Sequence, residues 1–222
     1  MIAGDLIRKV RDALQDDNKV RWSDDDLLDY LNSAMLMLAT VRPDSSSKNV
    51  AHKLNAGTKQ AIPADGLRFI KISRNLGADG TTPGYPVTDT KIDTLNALSR
   101  TWHKKSGKTS VSSYAFDVKI PKEFYCYPPA SSSVNVYVDL YYSMTPRVIT
   151  DIEDVDPLTP DDIYDPVIRT WMLRDAFAKE LSSVTSQQLS ARYENSFYQS
   201  LGIKSKVDLN ISPNKIKEVN VT

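Results

Sequence analysis

Two hydrophobic rhythms divide this chain of 222 residues, and they constrain its fold more than any single motif. Near both ends apolar residues recur every three to four positions, the period of an amphipathic helix. Between the ends they recur in short β-branched and aromatic runs broken by turn signals, the habit of strands. Ile2, Leu6, Ile7, Val10 and Leu14 share one face, with Arg8, Lys9, Arg11 and Asp12 on the other. They predict a first helix over about residues 2–15. The polar run Asp16-Asp17-Asn18 ends it.

A second helix opens at the stretch RWSDDDLLDYLN, Arg21 to Asn32. Asp24, Asp25 and Asp26, with Asp29 one turn on, raise the alternative of a metal site. A calcium loop needs oxygen ligands at alternate positions and a central glycine. The series Asp16, Asn18, Val20 breaks that alternation, and no glycine follows. Ser23 and Asp26 stand instead at the N-cap and N3 positions of a capping box, and the early aspartates meet the positive end of the helix dipole. Leu27, Leu28, Leu31, Ala34, Met35 and Leu38 then make an apolar stripe, and Trp22 is placed to staple against Leu27.

Past Arg42-Pro43-Asp44 the period changes. Expected strands are Val50–Leu54, Gln60–Ile62, Leu67–Asn75, Tyr114–Val118, Glu123–Tyr127 and Val134–Tyr142, with a short helix over Asp89–Ser99 among them. In the last strand Val134, Val136, Val138 and Leu140 alternate with Asn135, Tyr137, Asp139 and Tyr141. Asp151 to Asp165 carries seven acids and no base, an acidic linker with Pro157 and Pro160 inside. Helices follow from Pro166 to about Leu181 and from Thr185 to Leu201, and Gly202 is a fitting stop.

The reading is an α+β fold. Residues 1–45 and 151–202 form one helical layer, 46–150 an inserted antiparallel β domain, and 203–222 an extended C-terminal arm. In that arm Val207, Leu209 and Ile211 alternate, as in a segment that seeks a partner surface; an unordered tail is the alternative.

Charge and chemistry narrow the function. Lys plus Arg and Asp plus Glu number 28 each, so general affinity for nucleic-acid phosphates is not expected and any basic patch is local. Cys126 is the only cysteine, which excludes an intrachain disulfide and suits a reducing compartment; between Tyr125 and Tyr127 it reads as a small core residue. Gly107-Lys108-Thr109 resembles the end of a phosphate-binding loop, but Trp102 occupies the position where that loop needs a glycine. Arg100, Lys104, Lys105 and Lys108 are then an exposed basic loop, a candidate contact for phosphate or an acidic partner. His52 and His103, the only imidazoles, show neither metal-ligand spacing nor a triad signature, and Asp161, Asp162 and Asp165 are accounted for by a helix start. No cofactor fingerprint, catalytic centre, signal peptide or membrane span is expected, which points to a soluble intracellular product.

RWSDDDLLDYLN, RPD (Arg42–Asp44), IPADGLRFIKISRNLG (Ile62–Gly77), FYCYPP (Phe124–Pro129) and DIYDPVIRTWMLRDAFAKE (Asp162–Glu180) occur in this order. Together they resemble the head-to-tail adaptor family of short-tailed bacteriophages over nearly the whole chain. The resemblance implies a non-enzymatic virion protein at the head–tail interface, assembled in the bacterial cytoplasm without cofactor or metal. It implies a ring, dodecameric in that family, docked beneath the portal protein and offering a platform to the tail nozzle. DNA passes through the lumen without sequence-specific contact. The helical layer faces the portal, the arm carrying Val207, Leu209 and Ile211 grips it, and the β insertion points toward the tail. Asp151, Glu153, Asp154 and Asp156 are candidate lumen or linker acids. Tyr137, Tyr141 and Tyr142 are candidate interface aromatics, with packing inside the domain as the alternative. Two other classes stand beside this one: a small cytoplasmic hydrolase using His52 or His103, and a weak nucleic-acid-binding module built on Arg100–Lys108.

Overall fold

The computed structural model describes residues 1–180 and 183–211, with the backbone alone over 203–211. The chain divides into two units. One joins residues 1–42 to the C-terminal part from Pro146, and the other is the stretch Pro43–Thr145 between them.

Among the described residues the first unit holds four α-helices: α1 (Ala3–Leu14), α2 (Asp24–Val41), α4 (Asp165–Ala178) and α5 (Val184–Ile211). The apolar stripes converge as their spacing requires. Leu6, Ile7 and Val10 of α1 meet Leu27, Leu31, Met35 and Leu38 of α2, Ile168 and Met172 of α4, and Phe197 and Leu201 of α5 in one buried cluster. The capping box forms: Ser23 Oγ accepts from the Asp26 N–H at 3.1 Å, and an Asp26 carboxylate oxygen accepts from the Ser23 N–H at 2.9 Å.

Buried charge sets the turn between α1 and α2. Asp16 accepts the backbone N–H groups of Val20, Arg21 and Trp22 at 2.9, 3.1 and 2.9 Å. Arg11, itself buried, donates to the carbonyls of Asp16 and Trp22 at 3.1 and 3.0 Å and to the Asp24 carboxylate at 2.7 Å. The polar run that ends α1 is thus a folded knot, and it fixes Trp22 at the mouth of the core.

Ionised carboxylates recur through this unit. A hydrogen bond from Lys19 holds Asp24 below its ordinary value against the opposing effect of burial, with Arg11 adding to the pull. The Lys179 ammonium, 2.8 Å away, does the same for Asp26, helped by the Ser23 N–H. Groups whose folded values are lowered stabilise the fold fully above the unfolded value of 3.8 and lose that contribution as pH falls through the folded values. Thermal unfolding followed by circular dichroism is expected to show a midpoint that is flat near neutrality and falls steadily once pH drops below about 4. An Asp26→Asn variant should start lower at neutral pH and show a shallower acid decline.

Two expectations need correction here. Gly202 does not stop the last helix: α5 continues to Ile211, so residues 203–211 are not an extended arm. A glycine inside a helix costs only about 1 kcal/mol relative to alanine, and Ile203-Lys204-Ser205-Lys206 contains no other breaker. The alternation of Val207, Leu209 and Ile211 therefore lies on helical backbone, and the remainder of the arm, 212–222, is outside the described residues, as is Leu181. The acidic linker keeps its sequence character, and the fold brings bases to it from outside: Arg147 pairs with Asp154, the N-terminal ammonium with Asp162 at 2.5 Å, and Lys9 with Asp165 at 2.6 Å.

The second unit is two four-stranded sheets, in the orders β1-β8-β3-β4 and β2-β7-β6-β5. The strands are β1 (Ser47–Lys53), β2 (Gly57–Ala61), β3 (Gly66–Leu76), β4 (Pro83–Pro86), β5 (Thr88–Asp89), β6 (Ser113–Ala115), β7 (Glu123–Ala130) and β8 (Tyr137–Met144). Both sheets contribute to one core. Phe69 of β3 lies with its ring centroid 5.3, 5.1 and 4.7 Å from those of Tyr114, Phe116 and Phe124. Asn75, also buried, ties β3 to the loop before β6: its side-chain amide donates to the Val111 carbonyl at 2.7 Å and its oxygen accepts the Val111 N–H at 2.8 Å.

The pairing is antiparallel except between β5 and β6, where Thr88 faces Ser113 in parallel. Helix α3 (Ile92–Leu98) lies in the connection, and parallel neighbours need such a crossover. Val134 lies exposed before β8 rather than on its inner face.

Candidate assembly surfaces

The basic loop is built on a small aromatic core of its own. Trp102, in a 3-10 turn after α3, is buried with Leu95 and Ala115, and its indole N–H donates to Asn96 at 3.0 Å. The rings of Tyr125 and Tyr127 meet it edge-on. Lys105 rests on this core, its ammonium 3.0 Å from the Tyr127 hydroxyl and over the ring face. Gly107 has a mechanical reason: a Cβ there would come within 2.8 Å of the Ala130 carbonyl oxygen and the Ser131 Cα. The chain passes this close because the Lys108 N–H donates to the Pro129 carbonyl and the Lys108 carbonyl accepts from Ser131. The Gly-Lys-Thr triplet is thus a backbone crossing. Arg100, Lys104, Lys105 and Lys108 are all exposed, and none of the four forms an ion pair among the described residues.

The acidic residues lie on the helical unit, in a loop coiled on its own backbone. The Asp151 carboxylate accepts the Glu153 N–H and that of Asp154 accepts the Asp156 N–H, both at 2.9 Å. Arg147 bonds the Asp154 carboxylate and the Asp156 carbonyl, and the first of these holds the Asp154 carboxyl below the usual range. Ile149 and Leu158 anchor the loop's two ends in the helical core, leaving Asp151, Glu153 and Asp156 exposed.

The two histidines are far from equivalent. His103 stacks on Trp102 at 3.6 Å and shares a hydrogen bond of 2.8 Å with Thr58, a position that holds the loop in place. His52 sits half-buried in β1 opposite Val138, where burial pushes its imidazole below the usual 6.5 and its Nε2 has no partner. Among the described residues no carboxylate is bonded to either ring, and the hydroxyl of Thr58 is the side-chain group that His103 bonds. Cys126 is fully buried, within reach of Gln60 and the Gly57 carbonyl, and burial raises its thiol to about 11. Asp161 caps the turn into α4 by accepting the Ile163 N–H at 3.0 Å.

Of the three tyrosines of β8, two face outward. Tyr137 and Tyr141 are half-exposed, the latter beneath the Lys71 ammonium at 4.9 Å. Tyr142 is a correction: it is buried, its hydroxyl bonds the Asp65 carboxylate at 2.9 Å, and burial together with that bond raises it to about 12. It shares the parity of Val138 and Leu140, which the alternating pattern already contained. The pairing of Arg74 with Asp139 at 3.3 Å across β3 and β8 on the outer face lacked any local signal.

The model of the SU10 adaptor protein family matches residues 1–217, and the chain belongs to that family. It is a structural adaptor protein of a phage and a component of the virion. No curated protein matches the chain. No helix among the described residues is long and apolar enough to cross a membrane.

Proposed function

We propose that copies of this chain close into a ring at the head–tail junction of the virion, docked on the portal and presenting a platform for the tail nozzle, with the genome passing through the opening. The family match over residues 1–217 carries this reading. A dodecamer is the expected count. The role is mechanical, without catalysis, and assembly takes place in the bacterial cytoplasm. The helical unit is the portal-facing part and the β unit the tail-facing part. The chain end that includes Val207, Leu209 and Ile211 is the grip on the portal, beginning as the extension of α5. The loop of Asp151, Glu153, Asp154 and Asp156 supplies negative charge along the DNA path or at a neighbour. Ring closure requires that one surface of each copy fit a different surface of the next. Tyr137 and Tyr141 on the open face of β8 suit such a contact, as aromatic residues are enriched at interface centres.

The test is direct. Purified full-length protein mixed with portal rings and imaged by electron microscopy should yield collars with an open centre on the portal. Portals that stay bare under saturating protein, or a closed disc without an opening, overturn the reading.

A further inference from the structure

The zero net charge of the chain conceals a division. Residues 43–145 hold thirteen Lys and Arg against eight Asp and Glu, a surplus of five positive charges. The rest of the chain, with fifteen against twenty, holds the matching negative surplus. Each unit carries a surface where like charges gather beside an exposed aliphatic side chain. On the β unit the shelf of Arg100, Lys104, Lys105 and Lys108 adjoins Leu98, which is 77% exposed. On the helical unit the loop with Asp151, Glu153 and Asp156 carries Val155, also 77% exposed, between two of its acids. Leu98 and Val155 give each surface an apolar element beside its charges.

The backbone under both surfaces is anchored. The shelf is fixed by buried Trp102 and the close crossing at Gly107, and the loop by Arg147 and its anchors Ile149 and Leu158. Backbone already held in place loses little freedom on docking. We propose that the basic shelf of one copy receives the acidic loop of the next, so that opposite charges set the register of a heterologous contact around exposed aliphatic groups. This rests on the ring reading above. Single exposed ion pairs contribute little, but several pairs meeting in one register steer encounter and penalise wrong pairings. A contact of this kind repeats head to tail, because donor and acceptor surfaces differ.

Charge reversal tests it in full-length protein under the conditions where the wild type forms collars. Lys104→Glu with Lys108→Glu, or Glu153→Lys with Asp156→Lys, should raise the protein concentration for half-assembly by about tenfold or more, as like charges are brought together. Combining all four changes in one chain should restore assembly, since the complementarity is merely inverted. All these side chains are exposed, so circular dichroism should report an unchanged fold. Collars that assemble undiminished from either pair overturn the inference while leaving the ring reading intact. So does failure of the four-fold chain to recover, which would give the shelf a different partner. Intact collars that lose a steeply salt-dependent hold on duplex DNA assign the shelf to phosphate instead and also overturn it. Absence of collars from the wild type removes the ring reading, and the inference falls with it.

Discussion

Replacing Trp22 with alanine destabilises the helical unit by about 3–5 kcal/mol, the range for deleting a buried large aromatic side chain. The indole is 1% exposed, its N–H donates to the Ala176 carbonyl at 3.0 Å, and its ring meets Phe177 edge-on. Its loss opens a cavity where the end of α4 meets the turn between α1 and α2, and it leaves a buried carbonyl unpaired. Trp22→Phe separates the two effects. It keeps much of the ring contact and forfeits the hydrogen bond, so the expected loss is about 1–3 kcal/mol. Urea unfolding followed at the far-ultraviolet helix signal measures both. A loss below about 1 kcal/mol for the alanine variant would mean that the site collapses around the gap, against the rigid seat described here.

The second large effect belongs to the β unit. Phe69→Ala removes the ring on which Tyr114, Phe116 and Phe124 converge, and a loss of about 3–5 kcal/mol is expected from cavity formation together with three broken aromatic contacts. Because the buried clusters of the two units are separate, the damage should stay local. Hydrogen exchange read by mass spectrometry is expected to show β3, β7 and β8 losing protection while α1, α2 and α4 keep theirs. Simultaneous loss in both sets would show that the units unfold as one and would contradict the division. Phe69→Leu, which fills more of the space, should fall between the wild type and the alanine variant.

Local chemistry was legible in the sequence where the partners lie close along the chain. Ser23 and Asp26 are three residues apart, and the cap they predict forms as expected. The stripes of α1 and α2 likewise announce their buried faces, because periodicity is local. Arg11 shows the limit. By spacing it belongs to the polar face, yet it is buried, because Asp16, Trp22 and Asp24 fold back to receive it. Only closure of the turn reveals this. The pairing of the acidic stretch from Asp151 was not legible, because its bases come from Arg147, Lys9 and the chain's first residue. β4 was invisible for another reason: Pro-Gly-Tyr-Pro is turn composition, and it joins the sheet as a short edge where prolines are tolerated. The basic loop was recognised, but the reason for Gly107 lay in the approach of Ala130, which no spacing rule contains.

The β unit begins and ends on neighbouring strands, with Ser47 of β1 directly opposite Ser143 of β8. Residues opposed in this way sit only about 5 Å apart, so the route into the insertion and the route out of it run side by side. A segment tethered through such a narrow neck is an exchangeable cassette. Its sheets can be enlarged, recharged or replaced without lengthening or rerouting the four helices that carry it.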